Sequence, residues 1–263
     1  MERVQHKKKK GILVVSFGTS HLDTMEKTVA AIEQQIQETY REYVVYRAFT
    51  SGMIIRKLKK EAQISIPNVT QALHTMWEDQ IETVIVQPTH IINGIENDKM
   101  IDEVMQLSNQ FKKVRIGKPL LSSVEDYKRS IHSIMEQVEI PQDEALVFMG
   151  HGTDHHANSA YPMLEYTFHA LGYTNVLVGT VEGFPDLKLV INKLEISEMK
   201  RVTLMPFMVV AGDHAKNDMA GEEDSWKTEL EKRGFQVRVI LKGLGEFRGI
   251  RNIFVEHISE AME

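Results

Sequence analysis

The chain has 263 residues, 42% hydrophobic and 26% charged, the balance of a globular protein that can bury a core without covalent staples. It contains no cysteine, which excludes disulfides, thiolate zinc sites and cysteine-ligated iron–sulfur clusters. Any metal must therefore be held by histidine, carboxylate or carbonyl groups. The net charge of −6 argues against a nucleic-acid platform, despite the basic run at residues 7–10, which reads as a solvated, frayed terminus.

The apolar stretch behind that run, residues 11–15, is too short for the core of a signal peptide. Nor does any run approach the roughly 18 apolar residues of a membrane span. The expected setting is the cytoplasm, with no membrane or nucleic-acid partner.

Apolar runs alternate with amphipathic segments along the chain, the pattern of an α/β protein built on mainly parallel sheets. Strands are expected over 11–15, 44–46, 83–86 and 113–116. The first ends in SFGTS, and Met25, Val29, Ile32 and Ile36 follow at helical spacing. The pattern then restarts, with strands over 145–149, 176–178, 202–205 and 237–241. The first of these ends in GHGTDHH, and Tyr161, Leu164, Phe168 and Leu171 follow at helical spacing.

The two runs can be laid over each other. Gly18 falls on Gly152, Gly52 on Gly183 and Gly94 on Gly212, with the drift that loops of unequal length produce between copies of one β/α unit. The expected fold is thus α/β with two similar halves, each a mainly parallel four-stranded sheet flanked by helices, and an active cleft between them. The halves are residues 1–122 and 123–263. Residues 124–140 are placed to bridge them, and the final segment, 246–262, can pack on either.

The second half departs from the first at three places. His151 stands where the first has Phe17, Glu182 where it has Ser51, and His214 where it has Glu96. A histidine in a Gly-His-Gly turn, taken alone, reads as a polar loop residue, and a glutamate after a strand as a solvated one. Three such residues at three successive strand ends share the carboxyl edge of one sheet, where open α/β folds bind ligands. Two imidazoles and a carboxylate suit a divalent first-row ion with coordination positions left open.

His155 and His156 are weaker candidates, as supports for ligands, helix-start residues or an auxiliary metal-loading site. His21 and His90 face the same edge from the first half. His6, His74, His132, His169 and His257 fall in helices or the tail, in solvent-facing or packing roles. No Gly-x-Ser-x-Gly elbow, Walker A loop or His-Glu-x-x-His helix is present.

Five stretches together carry a resemblance: ILVVSFGTS (12–20), VQPTHIINGIEND (86–98), MGHGTDHHANSAYP (149–162), GTVEGFPD (179–186) and MPFMVVAGDHAKNDM (205–219). Over nearly its whole length the chain resembles the anaerobic-type sirohydrochlorin cobaltochelatases of cobalamin biosynthesis, class II chelatases related to ferrochelatase.

The resemblance implies a tetrapyrrole seated between the halves and an incoming metal held by His151, Glu182 and His214. His151 and Glu182 would then serve as proton acceptors. It implies no permanently bound cofactor, since Co2+ is a substrate, and Fe2+ or Ni2+ would suit the same ligands. Donors toward the substrate's carboxylates are expected among Thr19, Ser20, Arg47, His90, Thr153 and Lys216. A metal or tetrapyrrole carrier that binds without turnover stays open, as does assembly into a homo-oligomer.

Overall fold

A computed structural model of the chain describes residues 9–263. His6 and residues 7 and 8 of the basic run lie outside the described residues. The rest of that run is not a frayed tail. Lys9 pairs with Glu82 at 2.8 Å, and Lys10 is the first residue of a strand.

In chain order the first half comprises β1 (Lys10–Ser16), α1 (Leu22–Met25), α2 (Ala31–Thr39), β2 (Val44–Phe49), α3 (Gly52–Glu61), α4 (Val69–Glu78), β3 (Thr83–Pro88), α5 (Ile95–Leu107) and β4 (Lys113–Ile116). A π-turn over Glu26–Ala30 joins α1 to α2. After α6 (Val124–Met135) the second half follows, with β5 (Glu144–Gly150), α7 (Ala160–Ala170), β6 (Val176–Thr180), α8 (Leu187–Ser197), β7 (Arg201–Pro206), α9 (Trp226–Lys232), β8 (Gln236–Val239) and α10 (Arg248–Met262).

All eight strands fall where the apolar runs put them. Two four-stranded sheets form, ordered β2-β1-β3-β4 and β6-β5-β7-β8, with every pairing parallel. Their order is the same under the duplication, and so is their register. Val15 pairs with Pro88 as Met149 pairs with Pro206, while Ser16 pairs with Phe49 as Gly150 pairs with Thr180. β8 stops at Val239, two residues short of expectation, because it pairs only as far as Leu204 of β7.

Strand residues point alternately to the two faces of a sheet, so each central strand feeds two cores. Ile12 and Val14 of β1, with Leu146 and Phe148 of β5, join one core that runs through both halves and includes Tyr127 and Ile131 of α6 and Ile250, Phe254 and Ile258 of α10. The opposite faces are covered separately. Leu13 and Val15 pack with Leu73, Met76 and Met100. Val147 and Met149 pack with Val190, Leu194, Trp226 and Leu230.

Helices α6 and α10 therefore bridge the two sheets. α10 also lies against α2, β3 and β4 of the first half. The structural consequence is a fixed relation between the two carboxyl edges.

Phe148 is the pivot of the shared core. It is fully buried, stacked on Phe168 at 5.2 Å and met edge-on by Phe207 at 5.5 Å. Phe148→Ala is expected to cost about 3–5 kcal/mol through lost burial and an unfilled cavity. Urea denaturation measures it, and a loss below about 1 kcal/mol would show that the core closes around the gap.

Candidate metal centre

β5, β6 and β7 end side by side, and the chain leaving each carries one candidate ligand. The exits are tied by main-chain hydrogen bonds: Glu182 N–H donates to the His151 carbonyl at 2.8 Å, and Phe207 N–H to the Met149 carbonyl at 2.8 Å. Gly152 makes the turn possible, since its φ of +83° is left-handed and a Cβ there would lie 2.6 Å from the Gly183 nitrogen. His151 can then turn away from the strand while the loop holding Glu182 closes over Gly152.

One ligand atom from each of His151, Glu182 and His214 lies within 4.8 Å of the other two. The two imidazole rings meet edge-to-face at 4.7 Å, and a Glu182 oxygen is 3.6 Å from His151 Nδ1. The side chains are 39%, 56% and 35% exposed for His151, Glu182 and His214, so the cluster opens to the cleft.

Both rings are oriented by their Nδ1 atoms. His151 Nδ1 lies 2.9 Å from the Gly152 carbonyl, and His214 Nδ1 lies 2.8 Å from Asp218 Oδ2. Partners that can only accept assign the proton to Nδ1 in each neutral ring and leave the Nε2 lone pair for a metal. Asp218 was not among the expected residues. Its signal in the sequence was its spacing, four residues after His214 in a helical turn.

The two halves meet around this cluster through polar contacts between side chains. His21 Nε2 is 2.8 Å from Asp213, His155 Nε2 is 3.4 Å from Asp98, and Lys216 is 3.8 Å from Asp23. Two shallow hollows elsewhere, beside Trp77 and Lys112 and beside Ile140 and Arg238, sit at the strand-start ends of the sheets. Neither holds a comparable donor set.

The cobalt chelatase (CbiK) family model matches residues 10–263. The chain belongs to the cobalt chelatase (CbiK) family. It is 42% identical over 256 residues to the sirohydrochlorin cobaltochelatase of Salmonella typhimurium, covering 97% of each chain. It is 34% identical over 259 residues to sirohydrochlorin cobaltochelatase CbiKC of Nitratidesulfovibrio vulgaris, covering 97% of this chain and 91% of that one.

The fold is shared more widely. SirB from Bacillus subtilis with Fe3+ superposes with a TM-score of 0.68 at 14% identity, over 96% of this chain and 95% of that one. CbiX, described as the terminal enzyme of sirohaem biosynthesis in denitrifying bacteria, superposes with a TM-score of 0.55 at 15% identity, over 96% and 100%.

Within this cobalt chelatase scaffold the expected substrate donors divide. Lys216 and His21 sit at the seam between the halves, Lys216 facing Asp23. Thr19 is buried, and its hydroxyl accepts the His21 amide at 3.2 Å. Thr153 does the same for His155 at 3.1 Å, so both hydroxyls serve their own turns. Ser20 lies beside Thr19, half-buried.

Arg47 is engaged within its own half. It forms a two-pronged pair with Glu33 at 2.7 and 2.5 Å, and that hydrogen bonding raises its pKa further despite partial burial. His155 is a turn residue whose Nδ1 accepts the Ala157 amide, and the His156 ring lies against it at 3.9 Å, tilted by 40°. His257, expected in a packing role, is buried and meets Asp126 at 3.2 Å.

His90 offers the cleft no ring nitrogen. Both ring nitrogens are buried without a hydrogen-bond partner, and Asn97 lies beside the ring outside bonding geometry. Burial pushes the imidazole down to about 4, against the opposing pull of Glu96 and Asn97. As the pH falls from 6.5 toward about 4, the unfolded chain binds a proton that the folded ring refuses. Stability present above pH 6.5 is therefore lost over that window, by up to about 1.4 kcal/mol per pH unit. His90→Phe should shrink the difference in unfolding free energy between pH 7 and pH 5 seen in urea titrations. An unchanged difference would mean that the folded ring protonates freely.

Proposed function

We propose that this chain inserts Co2+ into sirohydrochlorin, with His151, Glu182 and His214 holding the ion before transfer. The observation that carries the reading is the convergence of three ligand atoms within 4.8 Å at the ends of three adjacent strands, both imidazoles having Nε2 free. The relatives' names supply the substrate pair, since both are sirohydrochlorin cobaltochelatases.

Insertion replaces two pyrrole N–H bonds with metal–nitrogen bonds and releases two protons. The donor set must hold the ion and then give it up. An open His2Glu set suits that better than the closed four-ligand shell of a structural site. As the ion leaves, the freed Nε2 of His151 becomes a base beside the macrocycle, and Glu182, whose carboxylate lies 3.6 Å from the other nitrogen of that imidazole, takes the second proton. The ion is consumed as substrate, so no resident cofactor is required. Among the described residues no helix is long and apolar enough to cross a membrane, so the substrate does not have to be met at a bilayer through such a helix.

His151→Ala is expected to lower the rate of Co2+ insertion into sirohydrochlorin by roughly 100-fold or more, the scale of a lost proton acceptor. Glu182→Gln should lower it less, because the amide oxygen can still approach a metal but cannot take a proton. Absorbance during rapid mixing follows the metallated ring directly. Near-normal insertion by His151→Ala overturns the mechanism, and a perturbed ring spectrum without metallated product in the unaltered chain overturns the enzyme. Parallel runs with Fe2+ and Ni2+ fix the metal preference, which the ligand set leaves open.

A further inference from the structure

Residue 17 is the exact backbone counterpart of His151 only in the sense that register gives. Val15 and Met149 occupy equivalent pairings to Pro88 and Pro206, so the second residue after each, Phe17 and His151, is equivalent. The hydrogen bonds repeat as well: Ser51 N–H donates to the Phe17 carbonyl at 3.2 Å as Glu182 N–H donates to that of His151. Both turns continue through a left-handed glycine, Gly18 at φ +102° and Gly152 at +83°.

The two equivalent side chains come together in the cleft. The Phe17 ring lies 6.3 Å from that of His151, tilted by 56°. It is 40% exposed, although burying such a ring stabilises a fold by about 1.5–3 kcal/mol.

We infer that Phe17 keeps the metal-holding set at three ligands by putting a ring without a lone pair where a fourth donor would reach the ion. This rests on the proposed role of His151, Glu182 and His214. Two imidazoles bound to one ion at about 2.1 Å per bond have ring centres on the order of 5–6 Å apart. The 6.3 Å separation is within a small shift of that range. A donor at position 17 would close a four-ligand shell of the structural kind, which holds its ion and does not pass it on. The phenyl ring occupies that side without coordinating.

The test uses the full chain, Co2+ and two donor variants, Phe17→His and Phe17→Cys, beside Phe17→Leu, which adds no donor. In titrations with Co2+ alone, Phe17→His should bind roughly tenfold or more tightly than Phe17→Leu, and the visible bands of Co2+ should intensify and shift as a ligand is added. Because the chain has no cysteine of its own, a thiolate-to-Co2+ charge-transfer band in Phe17→Cys is assignable to position 17. Single-turnover transfer of pre-bound Co2+ to sirohydrochlorin should slow in both donor variants relative to Phe17→Leu.

If neither donor variant changes affinity or spectrum, residue 17 does not reach the ion and the inference fails. It fails equally if Phe17→Leu slows transfer as much as the donor variants do. The underlying reading has its own check. If His151→Ala leaves Co2+ affinity intact, the metal-holding role of the cluster is wrong. If His151→Ala abolishes affinity while the position-17 variants are silent, only the role of Phe17 is lost.

Discussion

The structure of this site depends on parallel strand register. A hydrogen bond of 2.8 Å from the Glu182 amide to the His151 carbonyl continues the β5–β6 ladder one step beyond the sheet. The bond from Phe207 to Met149 does the same on the other side of β5. Side chains in parallel strands cannot slip by one residue without turning the buried face outward, so the sheet's cores fix the register. The same cores thereby fix which residue stands at each exit. Ligands far apart in sequence are held on elements whose position is set by burial, and each ring is then turned by one local acceptor, the Gly152 carbonyl or Asp218.

The common backbone plan of the two halves brings out the asymmetry of the cleft. Equivalent positions in the two halves do different chemistry on the same backbone. Ser51 caps α3 by accepting the Ile54 amide at 3.4 Å, whereas its counterpart Glu182 caps nothing and is more than half exposed. Glu96 pairs with Lys99 on its own helix, whereas His214 is aimed into the cluster. Other equivalents keep a shared task. Thr19 and Thr153 each accept the amide two residues on, and His21 and His155 then each reach a carboxylate of the opposite half. Asp213 shows the effect of that contact: partial burial would raise its pKa, but hydrogen bonding to His21 and the charge of Lys57 bring it below the ordinary value. These pairs sit over a continuous core spanned by α6 and α10, so the cleft is framed from both ends.

Much of this was legible in the order of residues. Runs such as Ala145 to Met149 could be read as strands because a buried parallel strand is apolar on both faces. The overlay of glycines identified the pairs Phe17–His151, Ser51–Glu182 and Glu96–His214, and strand register gives the first two of them again. What sequence could not supply was the partner of each polar side chain. Arg47 looked like an anion donor at a strand end, but a strand alternates faces and its guanidinium meets Glu33 on the helix behind. His90 sits in a motif-rich stretch, yet its neighbours cover both ring nitrogens. Both outcomes depend on packing between segments, which residue spacing within one segment does not encode.

Charge gives the last constraint on how such a site works. A dication held by two neutral imidazoles and one carboxylate keeps a net charge of +1, at a cluster that is only partly screened by solvent. A macrocycle that has lost two pyrrole protons carries two negative charges at its nitrogens, so the metallated core is neutral. In the proposed reaction the ion therefore moves from incomplete to complete charge compensation, while the protons pass to groups the ion has just vacated. A second carboxylate in the donor set would cancel that difference, and a thiolate would bind a first-row ion more tightly still. The chain has no cysteine, and the cleft position equivalent to His151 is filled by phenylalanine. Weakness of the holding site is thus a property of the whole donor set, in keeping with a protein that must release what it binds.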